Sequence, residues 1–264
     1  MDKIKKMLSL NFKTYGQGNP IIILHGLFGT LDNWQTIARQ LSEEYLVYLV
    51  DQRNHGRSPH TDEFDYALLA EDLKDFMKSQ GMSQATIIGH SMGGKTAMQF
   101  AISYPEMVTS LVVVDIAPKA YEGGHQEIFD ALLAVDLKKV DSRKQADEQL
   151  AVAIPDFGVR QFLLKNLTRN KEGSYQWKMN LPAIYKNYQN ILANIIPNEP
   201  YTGPSLFISG SRSEYIRKDD ESLIMGIFPK AKIVTISGAG HWVHAEAPKA
   251  LRSEFENFMV GVTS

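Results

Sequence analysis

The sequence predicts an α/β fold, a mostly parallel doubly wound sheet carrying an inserted helical lid. Three observations carry that prediction. Short β-branched apolar runs alternate with segments that are apolar at helical spacing. The runs are nearly unbroken, as strands covered on both faces should be. One long stretch, residues 118–203, holds helical patterns and no convincing buried strand.

Residues 8–15 alternate apolar and polar side chains and read as an antiparallel edge strand. Residues 21–24, 46–50, 85–88, 111–114, 205–208 and 233–236 read as buried strands. Residues 34–41, 66–80, 92–104, 219–228 and 248–260 read as the helices between and after them. Gly81 sits where a helix C-terminus favours glycine, and Pro105 stops the third helix. Right-handed crossovers then give a doubly wound core made of residues 1–117 and 204–264. Residues 118–203 form the lid, with helical segments at 127–135 and 159–167. Its aromatics (Phe129, Phe157, Phe162, Tyr175, Trp177, Tyr185 and Tyr188) either line an apolar channel or pack the lid's own core.

Composition narrows the function. The 264 residues carry 28 basic and 30 acidic side chains, so there is no electrostatic footprint for nucleic acid or an anionic membrane. No apolar run reaches the ~18 residues of a spanning helix, so stable membrane insertion is not expected. Residues 1–10 have no uninterrupted apolar stretch and do not read as a secretory leader, which makes the cytoplasm the expected location. The absence of cysteine removes thiol nucleophiles, disulfides and thiolate metal sites. His241 and His244 have H-x-x-H spacing without a further ligand cluster, and no metal or cofactor is expected.

Residues 89–96, Gly-His-Ser-Met-Gly-Gly-Lys-Thr, satisfy two unrelated motifs. From Gly89 to Gly93 they spell G-x-S-x-G, the nucleophile elbow of serine hydrolases. From Gly89 to Thr96 they spell the phosphate loop of nucleotide hydrolases, with Lys95 and Thr96 as ligands. The phosphate loop usually follows the first core strand, whereas at least two precede this one. Other turns fit acyl transfer instead. His25-Gly26-Leu27-Phe28-Gly29 follows strand 21–24, where the Leu27 N–H joins that of Met92 as an oxyanion hole. Gly238-Ala239-Gly240-His241 follows strand 233–236, in the chain order Ser, Asp, His. Lys95 and Thr96 then fall on a helix as ordinary helix residues.

The segments HGLFG (25–29), DQRNHGRSP (51–59), GHSMGGK (89–95), VVVDIAP (112–118) and GAGHWVHAE (238–246) resemble the α/β-hydrolase superfamily, and more narrowly the bacterial YbfF-type esterases. The resemblance runs from about residue 20 to 258 in the right order. It implies hydrolysis of a small-molecule ester or acyl thioester beneath a helical lid, without metal or organic cofactor. A C–C hydrolase or a lyase like that of the menaquinone pathway is the alternative on this fold.

The triad acid is less direct. Most relatives carry it in a G-x-x-D turn after the strand matching 205–208, but here Gly210-Ser211-Arg212-Ser213 has serine at that position. Glu214 and Asp219 are neighbouring candidates. Asp115 ends the strand beside the one that presents Ser91, and YbfF-like proteins have Asp there. The expectation is Ser91 as nucleophile, His241 as base, Asp115 as orienting acid and Ser213 as its support. Asp51, with Arg53 and Arg57, is expected to fix the 51–59 loop.

Overall fold

A computed structural model describes residues 8–263. Seven strands form one sheet in the order β1-β3-β2-β4-β5-β8-β9. They are β1 (Phe12–Tyr15), β2 (Pro20–Leu24), β3 (Leu46–Val50), β4 (Ala85–His90), β5 (Val108–Val114), β8 (Ser205–Gly210) and β9 (Ala231–Ile236). Within this sheet, among the described residues, only the β1–β3 pair is antiparallel, with Phe12 opposite Val50. The secretory-leader expectation falls largely on residues 1–7, outside the described residues.

The apolar runs follow from two-sided burial. In β2, Ile21 and Ile23 enter one core while Ile22 and Leu24 enter the other. Helices α1 (Gln35–Leu41) and α10 (Pro248–Thr263) cover the first face through Ile37, Leu41, Leu251 and Phe255. Helices α2 (Tyr66–Ser79), α3 (Met92–Ser103) and α9 (Glu221–Ile227) cover the second. Asp65 caps α2 by accepting from the Leu68 N–H at 2.8 Å, and Gly81 beyond it takes φ 68°.

β9 departs from the expectation of two-sided burial. It is the far edge of the sheet, and Lys232 and Thr235 face solvent. Its apolar residues Ile233, Val234 and Ile236 are what made it read as a central strand.

The insertion between β5 and β8 also departs from the prediction, because it is not all helical. Helices α4 (Gln126–Ala134), α5 (Arg143–Ala151), α6 (Phe157–Leu164), α7 (Leu181–Lys186) and α8 (Tyr188–Leu192) are joined by a hairpin of β6 (Leu167–Arg169) and β7 (Tyr175–Trp177). Its turn is built on Asn170, whose side-chain oxygen accepts from the Glu172 and Ser174 N–H groups at 3.1 and 2.9 Å, with Gly173 at φ 85°. Strands of three residues are too short to declare a period of two. The aromatics divide as well. Phe162 and Tyr188 line cavities, Phe129 is buried against Phe28, and Phe157 is exposed.

The 51–59 loop is held by two carboxylates. Asp51 accepts from the backbone N–H groups of Leu31 and Arg57 at 2.8 and 2.9 Å. Arg53 ties the loop to α2 by pairing with Asp72. Its Nε and Nη2 reach the two carboxylate oxygens at 2.5 and 2.7 Å, with both residues buried. Removing one partner leaves a buried charge uncompensated, so Asp72→Ala should lose about 3–5 kcal/mol of stability. Urea unfolding monitored by circular dichroism would measure it, and a loss below about 1 kcal/mol, the scale of an exposed pair, would contradict that reading.

Candidate active site

The site lies along the C-terminal edge of the parallel strands, where open α/β sheets bind their ligands. Ser91 sits between β4 and α3 at φ 53° and ψ −120°, outside the regions that side chains ordinarily occupy. Its N–H donates to Val114 O at 3.0 Å, and its own carbonyl accepts from the Lys95 N–H at 3.1 Å to open the helix. The turn requires close approach. A Cβ on Gly89 would stand 2.1 Å from Gly93 O, and one on Gly93 would stand 2.4 Å from Leu24 O.

Asp115, one strand over, is fully buried and also has a positive φ of 54°. Its N–H donates to Ile208 O at 2.7 Å, and its Oδ1 accepts from the Gly210 N–H at 3.0 Å. Its Oδ2 receives the Ser213 hydroxyl and lies 2.7 Å from His241 Nδ1. A carboxylate there makes Nδ1 the protonated nitrogen and leaves Nε2 as the basic one. The His241 carbonyl accepts from His90 Nε2 at 2.8 Å, and burial holds the His90 pKa far below the ordinary histidine value, so His90 is neutral. The Tyr215 ring stacks on His241 at 3.9 Å. Glu214 is exposed and pairs with Arg217 at 3.1 Å, and Asp219 is exposed too, so neither alternative acid approaches the imidazole.

After β2, the Gly29 N–H closes a turn onto Gly26 O at 2.9 Å. Neither the Leu27 nor the Met92 backbone N–H has an acceptor among the described residues. His25 braces this turn. Burial lowers its pKa to about 4, and the neutral ring donates from Nδ1 to Gly26 O at 2.9 Å. Its Nε2 accepts from the Gln52 N–H at 3.1 Å, tying the turn to the 51–59 loop.

Comparison with known proteins fits this geometry. Residues 19–248 match the alpha/beta hydrolase fold family. The chain belongs to that family. It is 37% identical to the Escherichia coli protein named esterase YbfF, covering 91% of this chain and 93% of that protein. It is 39% identical to the Mus musculus protein named sn-1-specific diacylglycerol lipase ABHD11, covering 92% and 80% respectively. A solved marine microorganism esterase superposes with a TM-score of 0.93 at 46% identity, covering 95% of this chain and 99% of that one.

In this hydrolase, Ser91 and His241 both line a cavity of about 260 Å³ beneath the insertion. Its other walls are mainly apolar, with Leu27, Phe28, Ile128, Val159, Phe162 and Trp242 among them. A second cavity of about 30 Å³ shares Leu27, Ser91, His125 and Tyr215 with the first and adds Met92, Lys95, Tyr66, Tyr121 and Tyr188. Lys95 is therefore no ordinary helix residue. It is 1% exposed, and its Nζ donates to the carbonyls of Leu192 and Ala193 at 3.3 and 2.6 Å. Those bonds turn its ammonium toward α8 and away from a phosphate-loop role.

Sequence reasoning did not single out Tyr215 or the bracing role of His25, because neither stacking nor tautomer choice leaves a spacing signal. Its one accessible clue to Tyr215 was proximity, two residues beyond Ser213. The elbow makes a sharp demand. Gly93→Ala should destabilise the fold by at least about 1–3 kcal/mol, since backbone rather than a flexible side chain blocks the new methyl. It should also abolish turnover. A variant with unchanged melting temperature and activity would show that the helix can retreat from β2.

Proposed function

We propose that the protein is a serine esterase that cleaves carboxylic esters or acyl thioesters through an acyl-enzyme on Ser91. One observation carries the reading. Ser91 and His241 line one largely apolar cavity, and the buried Asp115 carboxylate holds the imidazole through Nδ1. The names of the relatives support the same chemistry.

In the reaction, His241 Nε2 accepts the Ser91 proton as Oγ attacks the carbonyl carbon. The Leu27 and Met92 N–H groups receive the oxyanion, and losing one such donor costs about 3–4 kcal/mol of barrier. Collapse expels the alcohol or thiol, which takes the proton back from His241. Water, deprotonated by the same nitrogen, then releases the acid and frees Ser91. Asp115 holds the tautomer and stabilises the imidazolium. The Gly210 N–H and the Ser213 hydroxyl hold Asp115. The insertion serves as the lid, and its apolar wall over a cavity of about 260 Å³ favours acyl groups at the small end of the range that pockets accommodate. Small-molecule esters are thus the substrates.

A fluorophosphonate should label the wild type, and Ser91→Ala should abolish the labelling. Asp115→Asn should lower kcat about 10⁴-fold by stabilising the wrong tautomer. Glu214→Gln should leave kcat unchanged, and Ser213→Ala should lower it by less than Asp115→Asn. Steady-state hydrolysis of a short-chain activated ester measures all three. Collapse with Glu214→Gln alone would move the acid to Glu214.

A further inference from the structure

The catalytic scheme makes no use of Lys95, yet its placement is unusual. It lies in the first turn of α3, and its N–H donates to the Ser91 carbonyl at 3.1 Å. Among the described residues no carboxylate lies within salt-bridge reach of its Nζ. The ammonium is held instead by the Leu192 and Ala193 carbonyls and stands 4.7 Å from the Tyr121 ring centroid and 5.7 Å from that of Tyr66. Two carbonyls occupy two of its three donors. A buried cation without a counter-charge is costly to maintain, and this one lines a cavity that opens onto Ser91. That cavity, about 30 Å³, has room for about two waters or, in their place, one carboxylate. A clamp that only tied α3 to α8 would need neither the charge nor the empty space.

We propose that this small lobe is a subsite for a compact carboxylate on the substrate, seated against the Lys95 ammonium one turn from the nucleophile. The proposal rests on the serine-esterase reading of Ser91 and narrows it. The preferred esters are half-esters of diacids, or esters whose alcohol carries an acid group. The larger apolar cavity then takes the uncharged half of the molecule.

The subsite should depend on pH. Burial lowers the Lys95 pKa to about 7, so the cation is present below that value and lost above it. The groups around it do not titrate in that range. Burial raises the phenols of Tyr66 and Tyr121, lifts Tyr188 to about 12, and lowers His125 to about 4. Lys119, on the other side of Tyr121, is paired with Asp220 at 2.6 Å.

Two isosteric substrate pairs test the proposal. On the acyl side, monomethyl succinate is compared with methyl 4-methylpentanoate. On the alcohol side, O-butyrylglycolate is compared with isobutyl butyrate. For one pair, kcat/KM should favour the carboxylate by about tenfold or more, the scale of one charge-assisted hydrogen bond. The pair that responds identifies the side of the ester that enters the lobe. Because His241 acts equally on both members, the ratio isolates Lys95. It should be largest near about pH 6 and decline by about pH 8.5, since kcat/KM reports the free enzyme. In Lys95→Met the ratio should fall to about one.

Ratios at or below one in both wild-type pairs would overturn the proposal, and so would a preference that persists in Lys95→Met. If that variant does not fold, a wild-type preference that stays flat with pH overturns it equally. Failure of the esterase reading looks different, because neither the neutral esters nor a fluorophosphonate would then react.

Discussion

A single buried carboxylate organises this edge of the sheet. Asp115 has no access to water, so its charge must be met by protein. The groups that meet it come from three places in the chain: the Gly210 N–H at the end of β8, the Ser213 hydroxyl in the turn beyond, and His241 after β9. Each is worth far more with the others present than alone, because a carboxylate losing one donor keeps the whole desolvation penalty. The loops after β5, β8 and β9 are thus fixed to one another through one residue. His241 inherits its position from that requirement, and the Tyr215 ring and the His90 bond only refine it.

The second constraint is close packing around the elbow. Ser91, Asp115 and Phe28 all adopt positive φ, and each lies just past a strand of the central sheet. Such conformations cost about 1–3 kcal/mol each and persist only where the surroundings over-determine them. Here the surroundings are visible. Gly89 and Gly93 let α3 approach β2 and β4 within methyl-excluding distance, and Asp115 N–H is pinned to Ile208 O. Strain at three neighbouring strand ends is the consequence of aiming a hydroxyl, a carboxylate and a backbone turn at one small volume.

What the sequence made legible follows the same division. β2, β4 and β5 announced themselves because two-sided burial writes an unbroken apolar run. The elbow was legible because its glycines answer steric demands that few other residues meet. β9 was misread because an edge strand with four apolar residues of six mimics a buried one. The β6–β7 hairpin escaped notice because its stability comes from the Asn170 turn and not from any pattern along its strands. Arg53 was placed in the 51–59 loop, but its partner Asp72 lies on α2, and no spacing in the sequence links the two. Lys95 was read from helix position alone, and no helical position reveals that a side chain meets the carbonyls of a segment almost a hundred residues away.

That last contact belongs to a wider arrangement. The insertion is fastened to the core by directional polar bonds at the places that shape the site. Asn166 Nδ2 donates to Phe28 O at 2.6 Å, the Asn180 N–H to Asn54 O at 2.8 Å, and the Tyr66 hydroxyl to Ile191 O at 2.7 Å. Apolar contacts alone would let the insertion slide over the sheet edge, since they are indifferent to register. Buried hydrogen bonds are not indifferent, because a shift of a few ångströms leaves each partner unsatisfied. Phe28 O belongs to the same turn as the Leu27 N–H, so this bond ties the insertion to the 25–29 turn. The core therefore holds Ser91, Asp115 and His241 in place, and the insertion supplies walls of the cavity they share, Ile128, Val159 and Phe162 among them, so the walls and the groups around Asp115 are held by separate sets of bonds.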